Sequence, residues 1–180
     1  LVARGDLGRL ASRHLAESIA VLPLLDRLEA ESLIDLGSGA GFPAIPVQIA
    51  RPALRVTMVE SRRRKGLFLG RVVQVLELAN AEVLIDRAEH LRAEGEGGIG
   101  QFDVGTARAV APVGELLSWL APLVRPGGHA VLFKGSSYAE ELQAWQADGS
   151  GQTAWRLVET IPIADRHLYF TVLERLGEPT

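Results

Sequence analysis

At 180 residues, 47% hydrophobic and 23% charged, the chain carries enough apolar material for one globular domain with a substantial core, and no second domain is needed. A net charge of −3 leaves room for a local basic face and excludes no polyanionic partner, whereas the absence of cysteine removes disulfides and thiolate metal sites. No apolar run reaches the roughly 18 residues of a membrane span, and the first residues, with Asp6 close to Arg4 and Arg9, lack the apolar core of a signal peptide, so the cytoplasm is the expected compartment.

Residues 9–28 place Leu10, Leu15, Ile19, Leu22 and Leu25 at mostly helical spacing, which predicts one amphipathic helix whose polar face, with Arg13, His14, Glu17 and Ser18, is solvated. Asp6, His14 and Glu17 read as a surface cluster at best, without a metal-binding spacing, and no metal is expected. Next, Leu33, Ile34 and Leu36 form the short apolar run of a strand buried on both faces, and Gly37, Gly39 and Gly41 follow at once. Glycines there permit positive φ and let a ligand approach main-chain N–H groups with no Cβ in the way. Pro43 presets φ for a helix running to Ala50, and Pro52 ends it. The dinucleotide pattern G-x-G-x-x-G fails at Phe42, and no G-x-x-x-x-G-K-[ST] occurs in the chain. A G-x-G-x-G turn preceded by Asp35 resembles the first motif of class I S-adenosylmethionine (AdoMet) methyltransferases; an ordinary tight turn is the alternative.

Arg55 to Glu60 alternates toward a second strand that ends in an acid. Glu60 lies 23 positions after Gly37, about where a carboxylate accepts the ribose hydroxyls of an adenosine, although a surface glutamate is possible there. Arg62-Arg63-Arg64-Lys65 opens a helix with a predicted buried stripe of Phe68, Val72, Val75, Leu76 and Ala79. Cations at a helix N-terminus oppose its dipole, at about a few tenths of a kcal/mol each. Either a phosphate backbone favours them or they form a solvated turn. Glu82 to Asp86 is a third strand with Arg87-Ala88-Glu89 at its exit, residues 95–101 are a glycine-rich loop, and Phe102 to Ala107 is a fourth strand. Arg108 is costly to bury alone at the end of a central strand and is expected to face a ligand crevice. A helix with Val113, Leu116, Leu117, Leu120 and Leu123, a Pro126-Gly127-Gly128 turn, a fifth strand at Ala130 to Phe133 ending in Lys134-Gly135, and a helix over 137–147 follow. Trp155 to Ile163 and Leu168 to Leu173 suit an antiparallel pair at the sheet edge. Five β/α units and such a pair predict an α/β fold of the class I AdoMet-dependent methyltransferase order: a Rossmann-like doubly wound sheet of seven strands, the last one antiparallel.

Asp35-Leu-Gly-Ser-Gly-Ala-Gly-Phe-Pro43, Arg108-Ala-Val-Ala-Pro112, Phe133-Lys-Gly135 and Arg166-His167-Leu168 together resemble the RsmG/GidB family, and Arg13-His14 with Glu17-Ser18 is similar to that family's Arg-His…Asp-Ser signature. The resemblance implies a single methyltransferase domain over 1–180, with 1–30 a shortened N-terminal helical segment. It implies AdoMet as cofactor and methyl transfer to N7 of a guanosine in small-subunit (16S) ribosomal RNA, by a monomer whose partner is that RNA or the small ribosomal subunit. Cofactor contacts would come from Gly37, Gly39, Phe42, Glu60, Ser61, Ala88, Glu89 and Arg108. Arg108 and Lys134 would be catalytic, and Arg64, Lys65 and Lys134 would face RNA. The sequence departs from the family at Ala44, Glu17 and Glu60, where glycine, aspartate and often aspartate are usual.

The chemistry agrees by a separate route. Guanine N7 has a free lone pair, so it needs no general base, only in-line approach in a desolvated pocket. The sequence lacks the cysteine that C5 attack on a pyrimidine requires, lacks [DN]-P-P-[YF] after the fourth strand, and has no lysine before Lys65 to begin a 2′-O-methyltransferase tetrad. A small-molecule methyltransferase, or a non-catalytic RNA-binding assembly factor retaining the cradle, are the competing readings.

Overall fold

The computed structural model describes residues 14–93, 98–149, 154–163 and 168–177; Arg13, Asp6, Arg166 and His167 lie outside them. Two units, Leu1–Ala88 and Glu89–Thr180, divide the chain.

In the first unit the described part of the expected long helix, from 14 on, is two short ones, α1 (Ala16–Ile19) and α2 (Leu22–Arg27); residues 9–13 of that expectation lie outside the described residues. Pro23 sits in the first turn of α2, where a proline starts a helix but cannot continue one, so no single 3.6-residue period runs through the segment. The phase is reversed as a result. Glu17 is 1% exposed and Ser18 is fully buried, while Leu15 and Ile19 are exposed, which corrects the expected solvated polar face. Ser18 Oγ donates to the His14 carbonyl at 2.6 Å, and the His14 ring lies 5.6 Å from that of Phe42.

Strands β1 (Ser32–Leu36), β2 (Arg55–Val59) and β3 (Ala81–Leu84) pair in parallel, with Leu33 opposite Val56 and Met58 opposite Val83. Every residue of β1 is buried, as its apolar run predicts for a strand covered on both faces. Between β1 and β2 runs α3 (Ala44–Ala50), with Pro43 as its cap residue. Helix α4 (Arg63–Val75) leads from β2 to β3. Its buried residues are Gly66 and Leu69, and Val75 of the expected stripe is 61% exposed. At Gly66 an added Cβ would lie 2.5 Å from Ile85 Cγ1, so the contact needs the smallest residue. A glycine contributes no hydrophobicity, so the contact line through Gly66 leaves no mark in the apolar period.

In the second unit β4 (Phe102–Arg108) pairs in parallel with β5 (Val124–Lys134). The Pro126-Gly127-Gly128 turn persists as an irregularity inside β5: pairing jumps from Phe102 opposite Val124 to Val104 opposite His129. Helix α5 (Val113–Leu120) buries Val113, Leu116, Leu117 and Leu120, and α6 (Tyr138–Asp148) packs against it. Strands β6 (Trp155–Ile163) and β7 (Leu168–Arg175) are antiparallel, and β7 is also antiparallel to β5, with Lys134 opposite Tyr169. Trp155 Nε1 donates to the Leu117 carbonyl at 3.0 Å, tying β6 to α5. The strand order is β3-β2-β1 in the first unit and β4-β5-β7-β6 in the second, seven strands among the described residues, parallel in the first unit and mixed in the second. Among the described residues no helix is long and apolar enough to cross a membrane.

Candidate active site

The turn after β1 has the backbone that its glycines allow. Gly37, Gly39 and Gly41 have φ of 70°, 59° and 93°. The turn is tied by Ser38 N–H to the Val59 carbonyl at 3.0 Å, Gly41 N–H to the Ser38 carbonyl at 2.7 Å, and Ser38 Oγ to the Asp35 carbonyl at 3.0 Å. Two glycines are required for different reasons. A Cβ on Gly41 would lie 2.5 Å from Ile45 Cγ1, so this position serves internal packing. A Cβ on Gly39 would meet nothing nearer than the Gly37 carbonyl at 3.6 Å and Lys65 Nζ at 3.9 Å, so the space before it is open.

Glu60, at the exit of β2, is 5% exposed. Its Oε2 accepts the Gly39 N–H at 3.0 Å and its Oε1 accepts the Arg62 N–H at 2.8 Å. The carboxylate thus links the glycine turn to the cap of α4. Two of its about four lone-pair directions remain for hydroxyl donors, as adjacent ribose hydroxyls require. Ser61 is exposed beside it, and Phe42 is half-buried against His14. Ala88 and Glu89 are half-buried in a 3-10 turn, Ala88–His90.

The basic first turn of α4 does not behave as one group. Arg62, Arg63 and Arg64 are exposed, and among the described residues their side chains have no hydrogen-bond or ion-pair partner. Lys65 is half-buried and its ammonium leans over the glycine turn, close to Gly39.

In the second unit Arg108 is the last residue of β4, half-buried, and paired in register with Phe133. Ala109 follows at φ 53°, a left-handed conformation that a non-glycine residue adopts only when its surroundings impose it. Lys134, expected to face RNA, is engaged within the protein. It is 7% exposed, and Nζ donates to Glu141 Oε2 at 2.7 Å and to the Ala111 carbonyl at 2.8 Å. A phosphate contact would require breaking that pair. Glu141 Oε1 also accepts from Ser137 Oγ at 3.0 Å, and the Val113 backbone N–H donates to the same carboxylate. Burial raises the Glu141 pKa, but Lys134, Ser137 and Val113 outweigh it and hold the group below the ordinary carboxylate value of 4.5. Sequence reasoning missed Glu141, because a spacing of seven across a turn matches no local pairing rule.

The family model described as rRNA small subunit methyltransferase G (GidB) matches residues 1–169. Among curated proteins, the ribosomal RNA small subunit methyltransferase G of Corynebacterium diphtheriae is 42% identical over 80% of this chain and 65% of its own. The protein of that name from Sorangium cellulosum is 45% identical over 72% of this chain and 54% of its own. The chain spans about three fifths of the length of the curated relatives it matches. Among solved structures, an rRNA methylase from Streptococcus thermophilus superposes with a TM-score of 0.58 at 13% identity, covering 82% of this chain and 87% of that one. The O-methyltransferase TomG from Streptomyces achromogenes, solved with SAM, gives 0.68 at 16% identity, covering 89% and 80%. These likenesses establish the class I AdoMet methyltransferase fold. The glycine turn, its buried acid and the extent of the family match lead to one assignment: this chain belongs to the GidB family of rRNA small subunit methyltransferase G proteins.

Proposed function

We propose that this chain transfers the methyl group of AdoMet to N7 of a guanosine in small-subunit ribosomal RNA, acting in the cytoplasm as a monomer and as one methyltransferase domain over 1–180. The observation that carries the cofactor reading is Glu60, buried and hydrogen-bonded to the Gly39 amide beside a turn whose open side lies at Gly39. That arrangement fits an adenosine: acceptor capacity for two hydroxyls, main-chain approach without Cβ, and no metal needed to neutralise phosphates. When bound, AdoMet supplies an electrophilic methyl on a sulfonium. The protein's part is orientation and exclusion of water, since N7 requires no proton removal.

In this reading Gly37, Gly39, Phe42, Glu60, Ser61, Ala88, Glu89 and Arg108 serve the cofactor. Arg108, a donor only, also suits guanine O6. Arg62, Arg63 and Arg64 position the RNA backbone through phosphates, which selects no base. Incubation with labelled AdoMet and undermethylated small subunits, then mapping of the label, tests the assignment. Label at N7 of one guanosine is expected; AdoMet binding without transfer to any ribosomal RNA would overturn it. Gly39→Val should abolish AdoMet binding in calorimetry, because a β-branched residue resists φ of 59° and fills the open space.

A further inference from the structure

We propose that Glu141, acting through Lys134, is a positioning residue: the pair holds residues 109–113 so that Arg108 is presented in one conformation. The proposal rests on the methyl-transfer reading for its consequence and on geometry for its substance. Arg108 is fixed at one end by the β4–β5 ladder, opposite Phe133. At the other end, the Ala111 carbonyl is held by Lys134 Nζ at 2.8 Å and the Val113 amide by Glu141. Between these anchors Ala109 is bent to φ 53°. Glu141 itself is braced by Ser137, the residue before α6, at 3.0 Å. One ion pair therefore joins the exits of β4 and β5 and the starts of α5 and α6.

A buried ion pair is often no more stabilising than well-packed apolar residues of the same volume, so stability alone is a weak reason for this one. What it supplies is directional: a carboxylate and an ammonium, each with several bonds, leave the loop between them little freedom. The orphan N–H groups at the start of α5 also gain an acceptor with the charge that a helix N-terminus favours.

The test compares wild type, Glu141→Gln, Glu141→Asp, Lys134→Met and the Lys134→Met/Glu141→Gln double variant with undermethylated small subunits at saturating AdoMet. Each of Glu141→Gln and Lys134→Met should lower kcat about tenfold or more, as expected for a misplaced reacting group. The particle KM and the AdoMet Kd should stay within about threefold of wild type, with full binding stoichiometry. The double variant should be no slower than the slower single one, because the two residues act as a unit. Glu141→Asp, which keeps the charge, should recover part of kcat. A raised KM with unchanged kcat in Lys134→Met would make Lys134 a direct RNA contact and overturn the proposal, as would wild-type kcat in Glu141→Gln. Hydrogen exchange at the amides of 109–111 and 113 reads the loop without the reaction: faster exchange in Glu141→Gln is expected, and wild-type exchange would overturn the proposal. If wild type itself fails to methylate, the functional reading falls while the exchange measurement still decides the positioning role. Should Lys134→Met fail to fold, the two Glu141 variants carry the test.

Discussion

Two sets of cations stand at strand exits, Arg62 to Lys65 after β2 and Lys134 at the end of β5, and they live in opposite surroundings. The three arginines are exposed and have no side-chain partner among the described residues, at a helix N-terminus whose dipole repels them. Lys134 is buried and holds two partners at 2.7 and 2.8 Å. The first set is available to a polyanion without breaking anything; the second is already spent on the protein's own geometry. Equal charge in the sequence thus divides into solvent-facing and self-facing surroundings according to what each ammonium or guanidinium already touches. Lys65 falls between them, next to the arginines in the chain but directed toward Gly39.

That division breaks most visibly at Lys134. Lys134→Met should destabilise the fold by about 3 kcal/mol in urea unfolding, the low end for a broken buried pair because Glu141 keeps some access to water. Adding Glu141→Gln should return part of that loss. Acid offers a second readout. The folded-state pKa of Glu141 is depressed below 4.5, so its contribution is present in full above pH 4.5 and lost as the pH falls through the lowered value. The stability difference between wild type and Glu141→Gln should therefore shrink in that window and be steady at neutral pH.

The arginines should behave in the opposite way. Arg63→Gln with Arg64→Gln should leave stability within about 0.5 kcal/mol, while flattening the dependence of log particle affinity on log salt by roughly 0.7–0.9 per lost contact. An unchanged slope would return them to an ordinary solvated turn. Lys65→Gln sharpens the boundary: AdoMet binding should weaken by about 0.5–1.5 kcal/mol, the worth of one hydrogen bond, with the salt slope little altered. The smallest effect is expected at Ala109→Gly, where relief of the left-handed strain and the greater freedom of glycine in the unfolded chain nearly cancel, leaving about 0.5 kcal/mol or less in thermal unfolding.

Much of the glycine turn and its neighbouring acid was legible because it depends on local rules. Three glycines at 37, 39 and 41 after an apolar run predicted positive φ, and all three have it. An acid 23 positions on predicted a strand-end carboxylate, and Glu60 is one. The same local reasoning placed β1, the α5 stripe and the antiparallel pair β6–β7. It failed where a residue's surroundings come from another segment. Glu17 and Ser18 are polar by composition yet buried, since Pro23 breaks the period and α1 turns that face to α3. The α4 stripe was misplaced because Gly66, its closest contact, has no side chain to count.

The sequence by itself determined the glycine turn, the acid that follows it and the succession of strands and helices along the chain, because backbone conformation and alternation are properties of a few adjacent residues. Only the tertiary structure decided that Glu60 holds the Gly39 amide, that Arg62 to Arg64 are unpartnered among the described residues, and that Lys134 serves Glu141 and Ala111. A charge has no fixed role until its neighbours set its solvation and its partners, and those neighbours are brought to it by folding from elsewhere in the chain.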